Sequence, residues 1–293
     1  MLLCALTECG ANVNFFLPNR VIDGYGLSKK VIERAHKSGY TLLITVDNGI
    51  SAFEALEHAD KINLDVIVTD HHHPPDPLPQ GAFCIVNPHQ IDCPYPFKEL
   101  AGVGVAFKMA QLLYEHFSIP LSLKIYELFL FGTIADVVPL VDENRYWIMR
   151  ILKMIEKKSS HCLSVLKQNG KIATNKILSA SDIAFSCAPQ INALGRLEDP
   201  RQGVYFLIST DEKEIEEIGF YLLGLNKKRR DIEQDHTTAL HKQLQKEGYN
   251  AQEHGCVIRA SKDYTPGIIG LIAARTCQAY GVPTCIFSEN NEG

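Results

Sequence analysis

Leu64-Asp65-Val66-Ile67-Val68-Thr69-Asp70-His71-His72-His73, followed by Pro74-Pro75, decides how this chain folds. A short apolar run rich in β-branched residues, stopped abruptly by polar groups, reads as a buried strand of a parallel sheet. Its polar end then lies at the sheet's C-terminal edge. Open α/β sheets bind their ligands at that edge, and Asp70, His71 and His72 bring a carboxylate and two imidazoles to it, a set that suits a divalent metal. The alternative for a bare His run is an exposed polar loop.

The pattern repeats on the N-terminal side, where Thr41 to Val46 reads as a strand ending in Asp47-Asn48-Gly49, with Ala52 to Ala59 as the returning helix. Further upstream, Lys29 to Ser38 is helical behind a plausible N-cap at Ser28, Val13 to Leu17 reads as a strand, and Leu2 to Leu6 as the last turns of a helix stopped at Gly10. Downstream, Leu128 to Ile134 is apolar and again runs into an acid, in Ala135-Asp136-Val137-Val138-Pro139. One acid in such a place is ordinarily a cap or turn residue. Three such ends beside paired histidines point to metal ligands gathered along one edge of a βαβ sheet.

Pro94, Pro96, Gly102 and Gly104 mark a loop before a helix from Val105 to His116, whose Phe107, Ala110, Leu112 and Leu113 fit a core face. From Asp211 to Gln245 runs a charge-laced helical pattern. Its Lys227-Lys228-Arg229-Arg230 run is either a solvated face or a line of cations that tracks a phosphate backbone. Arg196, beside Gly195, is a candidate phosphate clamp, because guanidinium pairs bidentately with phosphate and glycine permits close backbone approach. Beyond Glu247, Gly255 to Arg259 reads as a new strand. Gly267-Ile268-Ile269-Gly270 then opens a helix to Tyr280, with an N-terminus suited either to an anion or to close packing.

The 293 residues, 46% hydrophobic and 22% charged, are those of an ordinary globular chain with a sizeable core, most naturally in two domains. No apolar run of ~18 residues suggests a membrane span, and the first residues do not read as a secretory signal, so a cytoplasmic protein with no membrane partner is expected. The nine cysteines are scattered with no Cys-x-x-Cys pair, which indicates neither a disulfide framework nor a zinc ribbon. A net charge of −5 argues against a strongly basic nonspecific nucleic-acid binder but leaves room for a local basic groove.

Val46-Asp47-Asn48-Gly49, Thr69-Asp70-His71-His72 and Ala135-Asp136-Val137-Val138-Pro139 resemble the second, third and fourth motifs of the DHH phosphoesterase superfamily. Phe16-Leu17-Pro18-Asn19-Arg20 with Gly24-Tyr25-Gly26-Leu27, and Leu100-Ala101-Gly102-Val103-Gly104-Val105-Ala106-Phe107, are similar to its bacterial RecJ branch, single-strand-specific 5′ to 3′ DNA exonucleases. The likeness continues through Pro189-Gln190-Ile191-Asn192-Ala193-Leu194-Gly195-Arg196, Leu225-Asn226-Lys227-Lys228-Arg229-Arg230, and Gly267-Ile268-Ile269-Gly270 with Ala273-Ala274-Arg275.

The resemblance implies an α/β fold: a parallel-sheet DHH catalytic domain over 1–210, a connecting helix over 211–247, and an incomplete DHHA1-like substrate-binding α/β domain over 248–293. It implies phosphodiester hydrolysis with Mn²⁺ or Mg²⁺, two ions in the complete family site, and no covalent nucleophile. Asp47, Asp70, His71, His72 and Asp136 are the implied catalytic set. Asp47, His71, His72 and Asp136 are its metal ligands, and Asp70 orients a histidine. His73, beyond the motif, reads as a solvated loop residue. Arg20, Asn192, Arg196 and Arg275 are the implied nucleic-acid contacts, single-stranded DNA the substrate, and DNA-repair proteins the partners, in recombination and repair.

Departures from the pattern set further expectations. The first motif of the family, with two further metal carboxylates and the first strand, would lie before Met1, and relatives continue beyond Ser288. Gln190 stands where the family has Arg, and Thr265 where it has His. The sequence therefore reads as the interior of a RecJ-like protein with impaired or no nuclease activity. The rival readings are a DHH phosphatase or short-oligonucleotide hydrolase, and a non-catalytic remnant that retains nucleic-acid binding.

Overall fold

The structure, a computed structural model, describes residues 1–18 and 26–289. Chain contacts divide it into two compact units, Met1–Ser164 with Ile172–Ala188, and Val165–Lys171 with Pro189–Gly293.

The first unit opens with α1 (Leu2–Glu8) and α2 (Lys29–Lys37), then alternates β1 (Leu42–Ile44), α3 (Phe53–Lys61), β2 (Asp65–Thr69) and β3 (Cys84–Val86). The three strands form a parallel sheet in the order β1-β2-β3, with Ile44 opposite Ile67 and Thr69 opposite Val86. β2 is the central strand, as its apolar run requires. Val66, Val68 and Leu64 are buried with Ile32, Ala55, Leu56 and Ala59 from the two helices that cover this face. β3 is an element the sequence reading did not separate from loop, because Cys84-Ile85-Val86 is too short to show a period.

Val13–Leu17, expected as a strand, carries no ladder. Alternating side chains do not make a strand without a partner edge, and β1 pairs with β2 alone among the described residues. The helix expected from Val105 begins three residues earlier: α4 spans Gly102–His116. The glycines read as loop are its first turn, and the reason appears at the site.

α5 (Leu123–Ala135) is apolar nearly all round and therefore buried nearly all round, with Ile125, Phe129, Leu130 and Ile134 inside. It packs against α4 and α6 (Asp142–Lys157). Phe107 at their centre meets Phe129 at 4.7 Å and the edge of Trp147 at 5.1 Å between ring centroids.

The division between the units falls inside α7 (His161–Asn169), and α8 (Ala180–Asp182) with a π-helical turn (Ile183–Cys187) closes the first unit. The second holds α9 (Ala188–Asn192) from Pro189 on, α10 (Leu194–Leu197), α11 (Arg201–Ile208), the long α12 (Glu212–Lys246), α13 (Ala251–His254), β4 (Val257–Ser261), α14 (Ile269–Tyr280) and β5 (Thr284–Ser288). β4 and β5 are parallel, and Leu240, Leu244, Val257, Ile268, Ile272 and Ile286 form the core beneath them. No described helix is long and apolar enough to cross a membrane.

Candidate metal centre

The site is built where β1 and β2 run out. The ladder continues past the last residue of β1, with Thr45 N–H on Ile67 O and Asp47 N–H on Thr69 O, both at 3.0 Å. Two buried threonines lock this extension. Thr69 Oγ1 donates to Thr45 O at 2.6 Å, and Thr45 Oγ1 accepts from Thr69 N at 3.2 Å. Asp47 and Asp70 are thereby delivered side by side to the same edge.

The chain then turns sharply. Asp47 itself has a left-handed φ of 63°, a conformation that costs a side-chain-bearing residue about 1–3 kcal/mol, and Gly49 follows at 107°. A Cβ on Gly49 would lie 3.0 Å from Thr45 Oγ1, so the Asp-Asn-Gly turn needs glycine for space as well as for φ.

Asp70, only 1% exposed, holds the region together. Its Oδ2 accepts the Ile50 N–H at 3.1 Å, and its Oδ1 accepts His71 N–H at 2.8 Å, His72 N–H at 3.3 Å and His72 Nδ1 at 2.6 Å. Burial alone would raise its pKa, but these bonds outweigh burial and hold Asp70 below the usual carboxylate range. With Nδ1 of His72 engaged, Nε2 is left as the ligating atom. Asn87, also buried, donates from Nδ2 to His72 O at 2.8 Å and so fixes the backbone from the other side.

Asp136 arrives from elsewhere. It follows the last residue of α5, so an anion sits at the negative end of a helix, where it is disfavoured unless a cation is near. Val137, next along, has φ 63°, an uncommon conformation for a β-branched residue. Burial pushes the Asp136 pKa up, and the Asp47 charge pushes the same way.

Asp47, His71 and His72 present ligand atoms that all lie within 4.8 Å of one another. His71 Nε2 is 3.0 Å from Asp47 Oδ1 and 3.5 Å from Asp136 Oδ2. The hydrogen bond to Asp47 raises the His71 pKa, with burial opposing it and the charges of Asp47 and Asp136 adding to it. The donor set fits a hard or borderline divalent ion such as Mn²⁺ or Mg²⁺: oxygen and imidazole nitrogen, no thiolate among the described ligand atoms, and surplus negative charge. Asp47, His71 and His72 could hold one such ion, with Asp136 beside His71.

α4 begins against the same edge. A Cβ on Gly102 would overlap the Asp47 carboxylate, so the glycine that looked like a loop residue is the surface on which Asp47 rests. That contact places the partially positive end of a 15-residue helix beside the ligands. Local sequence carried no signal for it beyond the glycine itself.

The remaining candidate residues are placed as follows. His73 is exposed as expected, and its ring lies 4.4 Å from that of His89. Arg20 lies outside the described residues. Asn192 is exposed at the end of α9. Arg196 donates from Nη1 to Gly267 O at 3.1 Å, and Arg275 pairs through Nε with Glu233. Gln190, which stands at the family's Arg position, is buried and donates to Leu166 O at 2.9 Å.

The chain is similar to known proteins along its length. Residues 1–133 match the DHH family, N-terminal domain. The chain is 34% identical over 294 residues to the single-stranded-DNA-specific exonuclease RecJ of Bacillus subtilis, a match covering 100% of this chain and 36% of that one. It is 35% identical to the Escherichia coli protein of the same name, over 97% of this chain and 51% of that one. The chain thus spans about a third to a half of the length of these curated relatives. Among solved structures, an exonuclease RecJ bound to manganese superposes with TM-score 0.84 at 30% identity, over 98% of this chain and 71% of that one. RecJ of Thermus thermophilus in complex with Mn²⁺ gives 0.82 at 29%, over 98% and 40%.

Proposed function

We propose, since the chain belongs to the RecJ family of DHH phosphoesterases, that it serves the hydrolysis of phosphodiesters in single-stranded DNA from the 5′ end, with Mn²⁺ or Mg²⁺. The observation that carries this reading is the convergence of Asp47, His71 and His72, with ligand atoms within 4.8 Å, in a chain similar along its whole length to exonucleases of that specificity.

Asp47, His71, His72 and Asp136 are the proposed ligands. A divalent ion bound there supplies Lewis-acid polarisation of a phosphodiester oxygen and activation of water. The protein's own part is orientation. Asp70 is a positioning residue that fixes the His72 tautomer, Gly102 leaves room for Asp47, and the amino end of α4 offers partial positive charge to a phosphate beside the ligands. Arg20, Asn192, Arg196 and Arg275 are proposed strand contacts. DNA-repair proteins are the proposed partners, and the cytoplasm the proposed compartment.

The test uses the purified chain. Mn²⁺ binding at a single site by calorimetry or electron paramagnetic resonance is expected, lost in His71→Ala. Any release of nucleotides from a 5′-phosphorylated single strand, but not from the same strand in a duplex, is expected to depend on Mn²⁺ and on Asp136. Absence of Mn²⁺ binding, or equal attack on duplex, overturns the reading. Faster turnover of dinucleotides or pyrophosphate than of long strands would assign the site to a phosphatase or short-oligonucleotide hydrolase instead.

A further inference from the structure

Two histidines of the first unit stand outside the set at the metal edge, and the fold brings them together. The rings of His73 and His89 lie 4.4 Å apart between centroids, tilted by 46°. They come from different loops. His73 follows the polar end of β2 and runs into Pro74-Pro75, and His89 follows β3 directly behind Pro88. Pro74 confines the backbone of His73, and Pro88 fixes the chain as it enters His89.

Asn87 fastens the two loops to each other. It is 2% exposed, its Nδ2 donates to His72 O and its Oδ1 accepts the His89 N–H, each at 2.8 Å. One buried amide thus holds the residue before His73 with one end and His89 with the other. The loops cannot part without leaving a buried polar group unsatisfied, so the imidazoles are held as neighbours.

A ring contact alone would be met as well by phenylalanine or tyrosine. Imidazoles add ring nitrogens. Burial, above all, lowers the His89 pKa; the His73, His71 and Lys98 charges add to this and Glu99 opposes it. A lowered pKa favours the neutral imidazole, which is the form that binds metal. His73 is exposed, so its ring can turn to bring a nitrogen to an ion held at the Zn–N distance of about 2.0–2.1 Å.

The donor chemistry differs from that of the neighbouring edge. Asp47, His71 and His72 mix carboxylate with imidazole, which suits a hard ion. His73 and His89 offer nitrogen alone, and among the described residues no third His, Cys, Asp or Glu completes a close group with them. Imidazole without carboxylate favours Zn²⁺, Ni²⁺ or Cu²⁺ over Mn²⁺ and Mg²⁺. Two protein ligands leave the other positions of a tetrahedral ion to water.

We propose that His73 and His89 form a second metal site, separate from the metal edge and selective for borderline divalent ions of the Zn²⁺ class. It stands independently of the substrate read for the edge.

The test is a calorimetric titration of Zn²⁺ into the purified chain, in wild type, His73→Gln and His89→Gln, with an unchanged urea midpoint as the check on folding. Wild type is expected to bind one Zn²⁺ more per chain than either variant; the cysteines are common to all three proteins and cancel in the difference. That Zn²⁺ is expected to stay in place against an about hundredfold excess of Mn²⁺. Mn²⁺ binding at the metal edge, read by electron paramagnetic resonance, is expected to be the same in all three.

Equal Zn²⁺ stoichiometry in wild type and both variants overturns the proposal, and loss in one variant alone assigns the ion to another donor set and overturns the pairing. Displacement of the extra Zn²⁺ by Mn²⁺ overturns the selectivity. Loss of Mn²⁺ binding in either variant overturns the separation from the edge, whereas absence of Mn²⁺ binding in wild type bears on the nuclease reading alone.

Discussion

Asp70→Asn is the most informative single change, because it is nearly isosteric and removes only charge and acceptor capacity. Asp70 accepts four hydrogen bonds, three on Oδ1 and one on Oδ2. An asparagine has one acceptor oxygen. If that oxygen takes the Oδ1 position, the amide nitrogen faces the Ile50 N–H and leaves that one buried donor unsatisfied. The flipped amide orphans three donors, so the first arrangement wins. The cost is about 1–3 kcal/mol for the lost Ile50 bond, and a further ~1–2 kcal/mol as the three remaining bonds cease to be charge-assisted. Urea unfolding of the chain in EDTA is therefore expected to show a loss of about 3 kcal/mol. Weakened orientation of His72 adds a loss of Mn²⁺ affinity of roughly 10- to 100-fold, read by calorimetry on the folded variant. Stability within ~0.5 kcal/mol of wild type, a surface-substitution effect, would refute the role assigned to this carboxylate.

Other outcomes follow from the same physics. Gly102→Ala forces a methyl group into the Asp47 carboxylate and should weaken Mn²⁺ binding at least tenfold, with an overpacking cost of about 1–3 kcal/mol; unchanged metal affinity by calorimetry contradicts the contact. Phe107→Ala removes the ring on which Tyr126, Phe129 and Trp147 pack, and should cost about 3–5 kcal/mol in denaturant unfolding. Glu143 supplies the pH dependence. Burial raises its pKa, but Lys108, Tyr95 and Trp147 bond its charged form and bring it below the usual value. Its stabilisation is therefore complete above the ordinary glutamate pKa and lost as pH falls through the lower folded value. The stability gap between wild type and Glu143→Gln should be about 1–2 kcal/mol at neutral pH and close on acidification; a gap that widens in acid reverses the sign.

What was legible in the sequence and what was not divides along physical lines. β2 and its polar end were readable because the central strand of a parallel sheet keeps its middle residues from solvent, Val66 and Val68 fully and Ile67 in part, which writes itself as a continuous apolar run. Asp47 and the histidines followed from that one assignment. Asp136 was signalled only weakly, as the third acid to close an apolar run, until the resemblance singled it out. α5 is apolar all round, so its period says nothing about which end faces the sheet edge, and an acid after such a helix looks like any cap. Val13–Leu17 failed for the complementary reason: alternation is a property of the segment, whereas a strand is a property of a pair.

The second unit shows the same limit at the level of charge. Lys227 to Arg230 read first as a solvated face, the commoner meaning of such a run, and second as cations for a phosphate backbone, because a helix's own sequence does not reveal which charged residues its neighbours bury. Glu233 takes Arg229 out of the solvated set. It lies one helical turn beyond, is almost wholly buried, and holds a guanidinium from each of two helices. A carboxylate on a solvated face has no reason to be withdrawn from water, and one in a self-sufficient ion pair has no reason to gather a second arginine. The metal edge shows the opposite imbalance, with carboxylates outnumbering the one raised imidazole that stands among them. The surplus negative charge on that edge suits a divalent cation.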